Sequence, residues 1–180
     1  MRIAFTLLAF FLVLGAQAQT EWKIEDDYQV RFSGQGADGN FTGLEGTIVF
    51  SPAKLSQSKF DVKVDARTID TGTKRKDEHA IGRSWLEAAY HPDITFKSDS
   101  VVQTAEGFEA FGKLNLHGIE GDASIPFTFK ETPTGGVFDG NFKVNRKSYG
   151  IMGNFASGMV DELFRVDLHV PVRRPTADDR

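Results

Sequence analysis

The side chains best suited to moving a proton or holding a metal near neutral pH are four histidines, His79, His91, His117 and His169. No two of them stand in the H-x-x-x-H or H-E-x-x-H spacing that sets two ligands on one helix face. Asp77, His79, His91 and Asp93 could converge across a short helix, but capping and hydrogen bonding at helix ends explain the same residue types. No metal is therefore expected. The chain has no cysteine to serve as a thiol nucleophile and no G-x-S-x-G elbow. Its glycine clusters lie between apolar runs as hairpin turns, not ahead of a helix as phosphate loops. No catalytic triad is in view either, so the expectation is a protein that is not an enzyme and needs no cofactor.

Two arginines carry the remaining chemistry. Arg75 falls in a polar stretch after an apolar run, and Arg146 follows another. A guanidinium grips phosphate or carboxylate with two parallel hydrogen bonds, so Arg75 and Arg146, with Lys74 or Lys147 nearby, could hold an anionic headgroup. The plainer reading is that they pair with Asp70 and Asp77 and lock a loop against its scaffold. Both readings stand at this level.

The scaffold is legible as alternation with a period of two. Phe60, Val62, Val64 and Ala66 alternate with charged residues, as do Phe164, Val166, Leu168 and Val170. Ala123, Ile125, Phe127 and Phe129 alternate with Asp122, Ser124, Thr128 and Lys130, with Pro126 placed at an edge, bulge or bend. Tyr28 to Phe32 reads as a first strand, Ile48 and Phe50 mark a second, and Ile94 and Phe96 another after Pro92. Long runs cover Phe108, Ala110, Gly112, Leu114 and Leu116, and Phe138, Gly140, Phe142 and Val144. Turns are expected at 34–40, 51–52, 106–107, 118–121 and 133–136. Asp77 to Tyr90 breaks the rhythm as a short helix, with Asp77 as N-cap and Trp85 and Leu86 on its apolar face, stopped by His91-Pro92. The class is all-β: about eight antiparallel strands closed into a barrel, with one short helix between strands.

A barrel of eight strands is just wide enough to be filled by side chains or to enclose one small ligand. Several of the sixteen phenylalanines lie on apolar strand faces next to small residues, which fits either outcome. If the barrel is hollow, its wall is Phe60, Val62 and Val64 from one strand, Phe96, then Ala110, Leu114 and Leu116. Phe127 and Phe129, Phe142 and Val144, and Phe164, Val166 and Leu168 complete it, with Trp85 and Leu86 as a lid or plug over one end.

Bulk properties narrow the setting. Met1-Arg2, an apolar run from Ile3 to Leu14 and Ala16-Gln17-Ala18 form a cleavable export signal over residues 1–18, too short for a membrane span. Its loss leaves 162 of 180 residues and takes the formal charge from −4 to −5, since Arg2 goes with it. That balance argues against a nucleic-acid partner. No later run is long enough to cross a membrane, so the processed chain is expected to be periplasmic or secreted and free of an integral membrane segment. The absence of cysteine rules out both a disulfide framework and a lipid-anchored cysteine. Residues 19–172 form one domain, and 173–180 a polar, frayed tail.

Five ordered motifs add a resemblance. Ile69-Asp70-Thr71-Gly72, Lys76-Asp77-Glu78-His79, and Trp85-Leu86 followed by Pro92-Asp93-Ile94-Thr95-Phe96-Lys97-Ser98 resemble the YceI-like family. So do Gly112-Lys113-Leu114-Asn115-Leu116-His117-Gly118 and Asn145-Arg146 with Tyr149-Gly150-Ile151. The resemblance spans residues 22 to 171. It differs from the family pattern at Asp27-Tyr28-Gln29, where a His-Ser pair is usual, and at Lys76 and Ala80. The resemblance implies an exported lipocalin-like barrel whose apolar cavity holds a polyisoprenoid chain or a similar long-chain amphiphile. A filled barrel acting as a stress-response or partner-binding protein is the alternative. A small outer-membrane barrel fits less well, given the helix and the run into Arg173-Arg174-Pro175. Nothing in the sequence sets an oligomeric state. Intact-mass measurement on protein recovered from an exporting host is expected to show cleavage after Ala18; a chain retaining Met1 on the membrane would defeat that expectation.

Overall fold

Residues that alternate between apolar and charged must present one face to a core and one to water, and a closed sheet satisfies every such strand at once. The computed structural model describes residues 21–153 and 158–179. The expected signal at 1–18 lies outside them. Among the described residues the strands are β1 (Glu21–Ile24), β2 (Gln29–Gly34), β3 (Ala37–Phe41), β4 (Leu44–Val49), β5 (Lys59–Asp65) and β6 (Ile69–Asp70). A single α-helix, α1 (Lys74–Ala80), separates them from β7 (Asp93–Gln103), β8 (Phe108–Leu116), β9 (Ile119–Glu131), β10 (Gly135–Asn145) and β11 (Leu163–Arg173). All pairings are antiparallel.

Eight strands close a ring in the order β1, β4, β5, β7, β8, β9, β10, β11 and back to β1. The closure is short: Glu21 and Trp22 pair with Val49 and Ile48, while Lys23 and Ile24 pair with Arg173 and Val172. β2 takes over along β11 where β1 stops, pairing with residues 165–169, and carries β3 and β6 as an extra ribbon. The first expected strand is thus the second, and the expected turn at 34–40 contains β3. Its Ala37-Asp38-Gly39-Asn40 has loop composition, but ladders to β2 and β6 hold it extended, so pairing overrides propensity.

β9 changes partner along its length. Residues 127–131 pair with β10, and 119–127 with β8. Pro126, which has no amide hydrogen to donate, stands where the β10 pairing ends. Beyond it, Tyr149 packs over Gly121, where an added Cβ would sit 3.0 Å from the phenol oxygen.

The helix begins and ends earlier than the expected Asp77 to Tyr90. Its N-cap is Thr73. Asp77 lies within the helix, and its carboxylate accepts hydrogen bonds from the Thr71 amide (2.7 Å) and hydroxyl (2.6 Å), which hold the carboxyl below its ordinary pKa. Past Ala80 the chain folds into successive turns, with Leu86 N–H donating to Ala80 O and Ala88 N–H to Ile81 O, both at 3.0 Å. Trp85 and Leu86 therefore sit on turns. The C-terminal tail also differs from expectation: β11 reaches Arg173, whose guanidinium makes two bonds to Asp179 (2.6 and 2.8 Å).

Inside the ring, one end is solid. Phe50 is fully buried, with the rings of Phe108, Phe127, Phe129 and Phe138 at 5.1 to 5.4 Å and Phe60 at 6.2 Å. Trp22 donates its indole N–H to Phe50 O at 2.9 Å, tying this floor to the closing strand. Phe50→Ala is expected to lower the unfolding free energy by about 3–5 kcal/mol, the usual cost of deleting a buried ring. A denaturant titration checks it, and a loss under about 1 kcal/mol would show that the floor is not the core it resembles.

Candidate functional site

Above the aromatic floor the ring is hollow. A cavity of about 300 Å³ is enclosed by the inward faces of the strands. β5 contributes Phe60, Val62 and Val64, and β8 contributes Ala110, Leu114 and Leu116. Phe96 of β7, Phe127 of β9, and Phe142 and Val144 of β10 continue the wall, and Phe164, Val166 and Leu168 of β11 complete it. Several of these, among them Val62, Phe142, Val144 and Val166, point inward yet are only half-buried. That is the signature of a wall facing empty space rather than a neighbour. The lysines between them face out, and opposite charges meet across neighbouring strands: Lys97 with Asp61 (3.2 Å), Lys113 with Asp122 (2.6 Å), Lys63 with Glu45 (2.9 Å).

One expected wall residue is elsewhere. Phe129 does not line the cavity; it packs in the floor, 5.2 Å from the Trp22 ring and 4.5 Å from Phe138. The reason is position along β9, since Phe129 lies beyond Phe127 on the side of Phe50. Trp85 and Leu86 do border the cavity, from the turns after α1. Among the described residues the Trp85 indole N–H is buried without a hydrogen-bond partner.

The arginines part company. Arg75 is exposed on α1 and does not border the cavity. Arg146 does, at 5% exposure, but its guanidinium is already engaged. It donates to the backbone carbonyls of Asp161 (2.9 Å), Ile151 (2.6 Å) and Val160 (3.3 Å) and lies 5.2 Å from the Trp85 ring centre. Three of its five N–H donors are used in this way. The alternative pairing with Asp70 and Asp77 is not made either: Asp70 accepts from Gly72 N–H, and Asp77 from the Thr71 amide and hydroxyl. Arg146 instead gathers the carbonyls of residues 151, 160 and 161, which no sequence pattern announces.

Asp77, His79, His91 and Asp93, whose convergence the sequence allowed but did not favour, do not come together. Asp77 serves Thr71, His79 is exposed on α1, and Asp93 stands 3.5 Å from Lys63. His91 turns instead to His117, with ring centres 4.8 Å apart. Wall residues that the sequence reading did not assign include Val30, Phe32, Phe41, Leu44 and Ile151. For Val30 and Phe32 the alternation was there to be used; Phe41 and Leu44 are hidden among glycines and polar residues.

Against known proteins, the sequence model of the YceI-like domain matches residues 19–172. A UPF0312 protein of Vibrio cholerae is 32% identical over 139 residues, covering 73% of this chain and 71% of its own. Among solved structures, BcnA of Burkholderia cenocepacia superposes with a TM-score of 0.77 at 21% identity, covering 83% of this chain and 99% of that one. A polyisoprenoid binding domain from Saccharophagus degradans, implicated in plant cell wall breakdown, gives 0.65 at 14% identity over 88% of this chain and all of that one.

Arg146→Lys keeps the charge but loses the planar fork. It is expected to cost roughly 2 kcal/mol or more, because buried carbonyls lose their donors. Hydrogen exchange should quicken at residues 158–163; unchanged exchange there would show that the carbonyls find other donors.

Proposed function

Because the chain belongs to the YceI-like domain family, we propose that its barrel binds the apolar tail of an amphiphile, a polyisoprenoid being the expected class, and does so after export from the cytoplasm. The observation that carries this is the half-buried aliphatic wall above an aromatic floor. A dry core would have closed over those side chains, whereas here they border about 300 Å³ of space. That volume sits at the lower end of the roughly 300–1,000 Å³ typical of small-molecule sites. The cavity suits one end of a long chain, with the floor setting how deep it goes.

Energetics favour the tail over the head. A chain covering about 200–300 Å² of wall gains about 5–7 kcal/mol before ordering costs, at about 25 cal/mol per Å². Arg146 is committed to carbonyls and Arg75 stands away from the cavity, so neither is offered as a headgroup ligand. The unpartnered Trp85 N–H is the polar feature we assign to the ligand, as donor to a carbonyl, ester or phosphate oxygen at the head of the tail. The charged outer wall speaks against a membrane-embedded barrel, whose outer band would be apolar. One structural neighbour is a polyisoprenoid binding domain, and no catalytic step is proposed.

The test is to extract protein made in an exporting host with organic solvent and identify the apolar compounds by mass spectrometry. A long-chain amphiphile should be recovered, and a fluorescent prenol should bind the emptied protein. Val144→Phe and Val166→Phe fill the hollow section without adding charge, and each should weaken prenol binding about tenfold or more while circular dichroism stays as in the parent. Recovery of no apolar compound, together with no prenol binding by the parent, would leave the filled-barrel alternative as the better account.

A further inference from the structure

The two-residue turn joining β8 to β9 and the turns leading into β7 meet at the end of the barrel away from the aromatic floor. They bring Glu87, His91 and His117 together, one potential ligand atom from each lying within 4.8 Å of the others. Three independent features of this cluster ask for an explanation.

The first is a lone pair. His117 Nδ1 lies 3.1 Å from Tyr149 O. A carbonyl can only accept, so Nδ1 carries the hydrogen, and in the neutral ring Nε2 presents its lone pair. That Nε2 is buried and has no hydrogen-bond partner among the described residues; the nearest Glu87 oxygen is 3.7 Å away. A histidine held by a backbone carbonyl on one nitrogen, with the other presented to a pocket, is the arrangement that metal ligands adopt.

The second is backbone strain. Among the described residues only two non-glycines have positive φ, Glu87 at 44° and His117 at 56°. Both belong to the cluster. At His117 that φ belongs to the two-residue β8–β9 turn, where Gly118 shares it at 72°, whereas Glu87 lies in no hairpin that would require it. The third is close approach. A Cβ at Gly118 would lie 2.6 Å from the His91 ring, so the glycine lets His91 reach across to His117.

We propose that Glu87, His91 and His117 form a three-ligand site for a divalent transition-metal ion, with Zn²⁺ the ion this donor set suits best. Two imidazoles and a carboxylate are ligands of choice for Zn²⁺, and three protein ligands leave a fourth position to water or another group. Zn–N bonds of about 2.0–2.1 Å space tetrahedral ligands about 3.4 Å apart, so rotation of the half-buried side chains closes the present spacing. Arg83 stands 3.9 Å from the other Glu87 oxygen but is 94% exposed and free to leave. A bound ion would clip the loop carrying Trp85 and Leu86 to the β8–β9 turn, which makes the site a fastening for one side of the cavity. This inference stands whether or not the cavity binds an amphiphile.

The test uses the full, tag-free chain, stripped with a chelator and titrated with Zn²⁺ against a chromophoric competitor. One ion per chain is expected, with a rise in Tm on loading. His91→Phe keeps a ring against Gly118, and His117→Asn keeps a residue tolerant of the left-handed region. Each should weaken Zn²⁺ binding by about 100-fold or more, while His169→Ala, on an exposed histidine of β11, leaves it unchanged. Co²⁺ should give the visible bands of a four-coordinate site in the parent and lose them in His91→Phe. Circular dichroism confirms that each variant is folded, and either variant alone suffices for the comparison. The proposal is overturned if micromolar parent protein takes up no stoichiometric Zn²⁺, or if a folded His91→Phe or His117→Asn binds it as the parent does.

Discussion

Four residues make a sleeve out of a sheet. Glu21 and Trp22 lend their backbone to β4, Lys23 and Ile24 lend theirs to β11, and without this double allegiance the array would be open with two raw edges. The same short strand anchors the interior, because the Trp22 indole donates to Phe50 O and its ring meets Phe129. Closure and floor are therefore one construction. Arg174 adds to it from outside, its guanidinium 5.2 Å from the Trp22 ring.

Given that anchor, residue size along each strand decides what is solid and what is hollow. β10 shows the transition within seven residues: Phe138 is buried among the rings of the floor, while Phe142 and Val144, further along the same face, are half-buried beside the void. Rings that meet edge to face around Phe50 fill one cross-section of the barrel. Valines and leucines contributed by β5, β8, β10 and β11 leave a gap in the next. The turns after α1, with Trp85 and Leu86, border that gap at the other end, where the Arg146 guanidinium lies 5.2 Å from the Trp85 ring centre.

How much of this could be read in the sequence follows from strand length and from how far each interaction reaches. β5, β9, β10 and β11 each carry several alternations, enough to give strand, face and wall residues together. β1, β3 and β6 have four, five and two residues, too few for a period to show, and β3 has the composition of a turn. The helix was legible as an interruption but not in its bounds, because Gly82 and the turns after it imitate helical spacing. Phe129 was read correctly as inward; only the height of the floor put it out of the cavity. Arg146 looked like an anion ligand because its true partners are main-chain oxygens, the nearest in sequence five residues away and the others fourteen and fifteen.

The place of β11 in the ring has a consequence for how the chain comes to be folded. It is the final strand of the barrel in chain order, yet it borders β10 along its whole length, β2 over residues 165–169 and β1 at residues 172 and 173. Synthesis from the N-terminus delivers every other strand first, and none of them can join β1 to β10. Until residues 163–173 emerge, the growing polypeptide has an open seam, with β1 contacts that must wait for partners about 150 residues away in the chain. Closure of the ring is thus the one step that the order of the strands reserves for the end of synthesis.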